Sequence, residues 1–503
     1  MNIMNRVLLS GFTLLVGLQQ LAVAKPTGRP NILFAIADDM SHASIYGYRF
    51  LKTPNFDRIG EKGIVFGRAY TPSSKCSPSR SVIITGRNPW QLEAAANHQP
   101  VFPLKFKSVF ESINEHGYFV GFTGKGWGPG NSQGRDMLCQ EFNNVKVAQV
   151  TTGISDCDYS ENFREFLDAK PADKPFLFWF GCKEPHRKYQ AGSGKKAGKN
   201  PDDLDFLPAF WGDSDRVRRD ILDYALEVEH YDMHLGRILD ILKEGGELEN
   251  TLVIATSDNG MPFPRYKGHP YDFGVRIPMV ASWPGKIKNP GRTCEDYVSF
   301  IDLAPTFLDA VGITLEQSGM QAIQGKSLAD IFSNAPTERS MVLTGRERND
   351  IGRPHDQGYP VRALHKGRFV YMHNFKPERW PCGNPETKYR DTDSSPTKTF
   401  TLKKKDSILY EKCYAKRPPE ELYDIKADPD CMNNLALNPE YAEQMQSMKT
   451  ELFTQLKIQG DPRMHGYGDI FDSYKHSRAP GYYEKTMAKR ARGKAKSASH
   501  KMK

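Results

Sequence analysis

Residues 31–39 read NILFAIADD, a nearly continuous apolar run closed by two aspartates. Short runs rich in branched and aromatic residues suit strands buried on both faces. Three more follow: YFVGFT (118–123), FLFWFG (176–181) and TLVIAT (251–256). Helical patterns separate them, clearest at 216–246, where apolar residues recur at three and four before Gly245-Gly246 ends the element. Strands alternating with helices predict an α/β fold, with a large, mixed but mainly parallel sheet sandwiched by helices.

Each run ends in polar residues. Asp38-Asp39 follows the first, Lys125 the second, Glu184-Pro185-His186 the third and Ser257-Asp258-Asn259-Gly260 the fourth. Ligands of open α/β sheets sit at the carboxyl ends of the strands, so four segments deliver charge to one edge. Asp38, Asp39, Asp258 and Asn259 offer only oxygen, which selects Ca²⁺ or Mg²⁺ over zinc or copper. Either dipeptide alone reads as a strand end or a turn. Both at one edge favour a metal site.

The bulk properties bound the answer. A chain of 503 residues, 39% hydrophobic and 26% charged, can bury a large core and carry a second domain. Residues 1–24 combine Arg6, an apolar run and Ala22-Val23-Ala24, the pattern of a cleaved signal peptide, which predicts export to a periplasm or secretion. The run is too short and polar for a membrane anchor, and no cysteine follows it to take a lipid. A composition change near residue 340 predicts a catalytic domain over 25–340 and a smaller α+β domain over 341–480. Within the latter, 359–375 reads as an antiparallel hairpin and 440–460 as a helix. The basic stretch AKRARGKAKSASHKMK, which carries part of the net charge of +9, predicts a disordered tail over 481–503. No nucleic-acid-binding motif accompanies it. Eight cysteines are too sparse for a disulfide scaffold, although Cys382, Cys413 and Cys431 are pairing candidates.

One cysteine stands apart. Residues 76–87 read CSPSRSVIITGR, and Pro78 and Ser79 suit a first helical turn. Cys76 then lies at a helix amino terminus, whose dipole lowers a thiol's pKa, and Arg80 lies one turn on. A buried cysteine near a cap and a thiolate nucleophile are both consistent with this setting.

CSPSRSVIITGR also resembles the C-x-P-S-R…T-G-R signature of the formylglycine-dependent type I sulfatases, which share the alkaline phosphatase-like fold. The resemblance continues in order through ILFAIADDM, TGKGW, EPHRKY, SDNG, FGVRIPMV, DLAPTFLDAVG and ELYDIKADPD. It implies that Cys76 is converted to formylglycine (3-oxoalanine) by a formylglycine-generating enzyme, and that the hydrated aldehyde supplies the nucleophilic oxygen. By the same resemblance Asp38, Asp39, Asp258 and Asn259, with modified Cys76, hold one Ca²⁺ in preference to Mg²⁺. Arg80 would hold the hydrate, Lys125, His186 and Lys267 would surround the sulfate, and His186 would protonate the leaving oxygen. Charge on the peripheral oxygens of a transferring sulfuryl group explains the need for a cation and basic side chains.

One departure is Trp127, which stands where many family members carry a histidine two residues after the lysine. It reads as a core aromatic or as a platform for a sugar face. His98 and the cluster Arg346, Arg348, Arg353 and His355 are candidate substrate contacts, because basic forks suit further sulfate or carboxylate groups. The resemblance to the branch containing N-sulfoglucosamine sulfohydrolases and bacterial polysaccharide sulfatases implies a sulfated glycan substrate, from an algal polymer such as ulvan or carrageenan or from a glycosaminoglycan. An N-sulfamidase, a zinc-dependent phosphohydrolase and an inactive sulfated-glycan-binding protein are the competing readings.

Overall fold

The computed structural model describes residues 28–501; the expected signal segment, residues 1–24, lies outside them. Ten strands belong to the first part of the chain. They are β1 (Asn31–Ala37), β2 (Ile64–Phe66), β3 (Ala69–Tyr70), β4 (Phe119–Gly124), β5 (Gln140–Glu141), β6 (Phe176–Gly181), β7 (Thr251–Ser257), β8 (Met279–Ser282), β9 (Arg292–Cys294) and β10 (Val298–Ser299). Eight form one sheet in the order β5-β4-β6-β1-β7-β8-β2-β9, while β3 and β10 pair separately. Only β8 runs antiparallel to its neighbours β7 and β2. The four apolar runs are thus adjacent strands at the centre of a mixed, mainly parallel sheet.

Alternation along β1 explains its double burial. Ile32, Phe34 and Ile36 face one layer, where they join Trp179, Phe110 and Phe307. Leu33, Ala35 and Ala37 face the other, with Phe163, Phe178, Phe180 and Tyr231. Helices Cys76–Thr85, Val109–Glu115 and Leu303–Val311 cover the first face, and Tyr159–Ala169 and the long Asp215–Glu244 helix cover the second. Each fully buried large apolar side chain contributes about 1.5–3 kcal/mol.

The remaining strands, β11 (Met341–Arg346), β12 (Val361–Lys366), β13 (Phe369–Asn374) and β14 (Glu420–Asp424), form an antiparallel sheet in that order. Strands β12 and β13 are the expected hairpin. The expected helix spans Ala442–Ile458 and packs Met448, Leu452 and Leu456 on Leu364, Tyr371 and Leu422. The opposite face meets Tyr271 of the larger layer. Helix Pro396–Leu402 also reaches back, since Thr397 donates from its backbone and its hydroxyl to Asp220 of the long helix.

Two expectations are corrected. All eight cysteines are free. The Cys382 thiol donates to the Cys413 carbonyl at 3.2 Å rather than bonding its sulfur, and Cys431 packs with Tyr271 and Met372. The basic tail is helical over Tyr482–Lys501. Ala, Met, Lys and Arg are good helix formers. The start of the helix is anchored, with Tyr482 beneath the Arg390 guanidinium at 3.9 Å and Glu484 accepting the His355 amide at 2.8 Å.

The contact between the small sheet and the larger layer carries a pH dependence. Glu421 is buried, which raises its pKa, but Arg417 at 2.6 Å and hydrogen bonds from Tyr423 and Asn374 bring it down to about 2 from an ordinary 4.5. A depressed carboxyl contributes stability above its unfolded pKa and loses it as pH falls through the folded value. Urea denaturation should therefore show stability falling between about pH 4.5 and 2, and Glu421→Gln should lower stability at pH 7 while flattening that slope.

Candidate active site

The carboxyl edge of the central strands is built by backbone hydrogen bonds that continue the sheet past its ends. The Asp38 amide donates to Glu184 O at 3.1 Å, Lys125 to Gly181 O at 2.7 Å and Asp258 to Ala37 O at 3.2 Å. Gly124 makes the turn into Lys125 possible: its φ is +76°, and a Cβ there would lie 2.0 Å from the Gly181 carbonyl. Asp39 itself has a φ of 76°, a left-handed conformation that costs a non-glycine residue about 1–3 kcal/mol. It is held there because its amide donates to Asp258 Oδ1 at 3.1 Å and its Oδ1 accepts from Asn259 Nδ2 at 2.7 Å.

Three carboxylates therefore converge, one oxygen each from Asp38, Asp39 and Asp258 lying within 4.8 Å of the others. Three cations balance them. Arg80 Nε donates to Asp258 Oδ2 at 2.8 Å, while its Nη1 is fixed by the carbonyls of Lys125 and Gly126. Lys125 Nζ donates to Asp38 Oδ2 at 2.6 Å, and Lys267 Nζ to Asp39 Oδ2 at 2.6 Å. Burial raises the pKa of Asp38, but Lys125, then His186, Arg80 and Lys267, hold it well below the usual carboxylate range. Burial raises that of Asp258 against the pull of Arg80, and the Asp38 charge adds to the rise.

Cys76 opens the helix Cys76–Thr85, at the expected place, and its thiol lies 3.5 Å from Asp38 Oδ1 and 3.9 Å from Asp39 Oδ1. The expected lowering of its pKa does not occur. Burial, and next the Asp38 charge, push the thiol up to about 12, outweighing the helix terminus. A free thiolate is therefore the weaker of the two readings of this cysteine. His186 donates Nδ1–H to the Arg187 carbonyl at 2.7 Å, which leaves Nε2 to face Asp39 Oδ2 at 3.9 Å.

The donor set fits a hard divalent cation. Asn259 is fully buried, and with its amide nitrogen committed to Asp39 its Oδ1 has no partner. An orphaned amide oxygen beside three carboxylates is the arrangement that Ca²⁺ or Mg²⁺ completes.

Cys76, Lys125, His186, Lys267, His98 and Trp127 line one cavity of about 1020 Å³. Trp127 is a packed aromatic that also borders the cavity. It packs edge-on against Phe102 and donates to Ser81 Oγ at 2.9 Å, and it also forms part of the cavity wall. The arginine cluster does not reach the cavity, which corrects the expectation for Arg346, Arg348, Arg353 and His355. Arg346 donates to the carbonyls of Tyr359, Gly268 and Pro381, and Arg353 to Trp380 O and Asp391. Buried guanidiniums here satisfy carbonyls that would otherwise be unpaired. Arg348 is buried, and His355 is exposed beside Glu484.

Sequence reasoning named His98 but missed the second tier of charge around it. Lys75 Nζ pairs with Asp350 at 3.1 Å, His98 Nδ1 lies 3.4 Å from the same carboxylate, and Asp393 approaches Lys267 at 3.5 Å. Burial lowers the His98 pKa to about 4 although Asp350 raises it, so the ring is neutral near pH 7. Lys75 adjoins the cysteine signature and could have been suspected. Nothing in the local sequence marks Asp393.

Comparison with known proteins agrees with this geometry. A family model described as sulfatase matches residues 30–313. An ulvan-active sulfatase of Formosa agariphila is 26% identical over 489 residues, covering 86% of this chain and 76% of the relative. The N-sulphoglucosamine sulphohydrolase of Homo sapiens is 28% identical over 455 residues, covering 84% and 89%. A solved structure of a protein in complex with its substrate D-glucosamine-2-N,6-O-disulfate has the same fold, with a TM-score of 0.62 at 20% identity, covering 86% of this chain and 98% of that one. The matched family segment runs from the first central strand through every strand that contributes to the carboxylate edge, and the chain belongs to the sulfatase family of sulfuric ester hydrolases.

Proposed function

We propose that this chain removes sulfate from a sulfated polysaccharide or its oligosaccharides, using Cys76 converted to formylglycine and one bound Ca²⁺. The observation that carries the reading is the meeting of Cys76 with three carboxylates, an orphaned amide oxygen and three cationic side chains at one sheet edge. Asp38, Asp39, Asp258 and Asn259 would hold the ion. The chemistry these groups supply is an oxygen nucleophile from the hydrated aldehyde and Lewis-acid charge from the cation.

The chain's own residues supply the rest. Arg80, immobilised by Asp258 and two carbonyls, would hold the hydrate of residue 76 and add positive charge behind it. Lys125 and Lys267 place ammonium groups where the peripheral sulfate oxygens gather charge in the transition state. His186 Nε2, on the open side of the cavity, would give its proton to the leaving oxygen from the ring that carries both protons, since Nδ1–H is held by the Arg187 carbonyl. Cys76 is 2% exposed, so a formylglycine-generating enzyme would act on it before the chain closes over it.

Relatives named for ulvan and for N-sulfoglucosamine support a glycan substrate. N-sulfamidase activity is the second reading, favoured by the match to N-sulphoglucosamine sulphohydrolase over most of both chains. Release of free sulfate from a panel of O-sulfated and N-sulfated saccharides separates the two. The intact signature favours catalysis over passive glycan binding. Residues 1–24 support export to a periplasm; among the described residues no helix is long and apolar enough to cross a membrane.

Mass spectrometry of the tryptic peptide containing residue 76 should find it about 18 Da lighter than the cysteine form, by the loss of H₂S and gain of oxygen. Only unmodified Cys76 in active protein would contradict the mechanism. Cys76→Ala should abolish turnover and leave the denaturation curve close to that of the parent. Chelation should lower both turnover and melting temperature. Ca²⁺ should restore them more effectively than Mg²⁺, with about 2.7 kcal/mol of added stability at a hundred times the dissociation constant.

A further inference from the structure

Beside the main cavity lies a second, of about 450 Å³, and the two share Gln99, Asp350, Asp393 and Arg478 along their common wall. Its charge is unbalanced. Asp350 is already paired with Lys75, and Asp393 lies 3.5 Å from Lys267, which also holds Asp39. Lys388, Arg390 and Arg478 line it too, and among the described residues none of the three forms an ion pair. Guanidiniums without an ion-pair partner at a cavity wall suit a planar, anionic group.

Two neutral groups on the same wall are also unpartnered. Gln99 Oε1 and Thr392 Oγ1 belong to residues only 7% and 4% exposed, yet neither atom has a hydrogen-bond partner. Buried polar atoms are ordinarily satisfied, so these two mark a place for a ligand's hydroxyl groups. Gln99 is held in a left-handed conformation with φ 53°, clamped by Ser77 Oγ on the signature helix and by the Ser477 amide. Such strain is retained where a side chain must be aimed.

The wall is rigidly built. The segment ahead of the last helix returns to the cavity mouth: His476 bridges to Pro100, the Ser477 amide donates to Gln99 O at 2.8 Å and the Gly481 amide to Asp356 at 2.7 Å. Tyr482 then stacks beneath Arg390. Arg478 stands between these anchors.

We infer that the second cavity is a subsite for the sugar unit next to the scissile sulfate, in which Arg478 and Arg390 bind a sulfate or carboxylate and Gln99 and Thr392 bind hydroxyl groups. This rests on the saccharide reading above and assigns the specificity expected of Arg346 and Arg353 to different arginines.

The test uses the full-length enzyme and three disaccharides with the same scissile sulfate, whose second unit is neutral, carboxylated or sulfated, with 4-nitrophenyl sulfate as a small ester. The parent enzyme should favour an anionic second unit by about tenfold to a hundredfold in kcat/KM, mainly through KM, as expected for a charge-assisted hydrogen bond. The anion with the larger gain names the group bound. Arg478→Gln and Arg390→Gln should each reduce the anionic-to-neutral ratio by about tenfold. No preference in the parent, or a ratio unchanged in both variants, overturns the subsite while leaving the saccharide reading standing. Turnover of the aryl ester and of no disaccharide overturns the saccharide reading itself.

Discussion

Everything in this molecule is arranged around the gathering of Asp38, Asp39 and Asp258 into one buried volume. A buried charge without compensation costs several kcal/mol, and three of one sign repel as well. The compensation comes from three separate places in the chain: Arg80 from the signature helix, Lys125 from the end of β4 and Lys267 from the loop after β7. Arg80 and Lys125 each lie within 4.0 Å of both Asp38 and Asp258, so the compensation is shared across the cluster. The strand order that puts β4, β6, β1 and β7 side by side is therefore tied to the electrostatics of its own edge.

Much of this was legible in the sequence because it is local. A strand buried on both faces must be apolar throughout, so the point where NILFAIA becomes Asp38-Asp39 marks both the end of β1 and the start of the site. The same applies to Ser257-Asp258-Asn259 after β7. The start of the signature helix was readable from Pro78 and Ser79. The high thiol pKa of Cys76 was not, since the dipole argument is local while burial and the Asp38 contact are made by residues far away in the chain.

The arginine-rich segment after Thr344 shows the limit most clearly. Composition identified it as charged, but which charges face the cavity depends on packing. Arg346 and Arg353 turn inward to carbonyls from the 380 region, and Asp350 is the residue that reaches the site. The tail, expected to be disordered, is helical for a related reason. Alanine, lysine and arginine suit both a solvated coil and a helix, and the choice is made at Tyr482 and Glu484 by partners more than ninety residues upstream.

The segment from His476 to Gly481 is attached to the cavity mouth through its own backbone, by the Pro100 bridge and by amide hydrogen bonds to Gln99 and Asp356. Backbone attachments are indifferent to side-chain identity. The reacting centre, by contrast, depends on particular side chains at every position, and it lies on parts of the chain remote from this segment. Mutation can therefore rewrite one wall of the pocket without touching the chemistry, and a chain of this architecture can change what it recognises while keeping what it does.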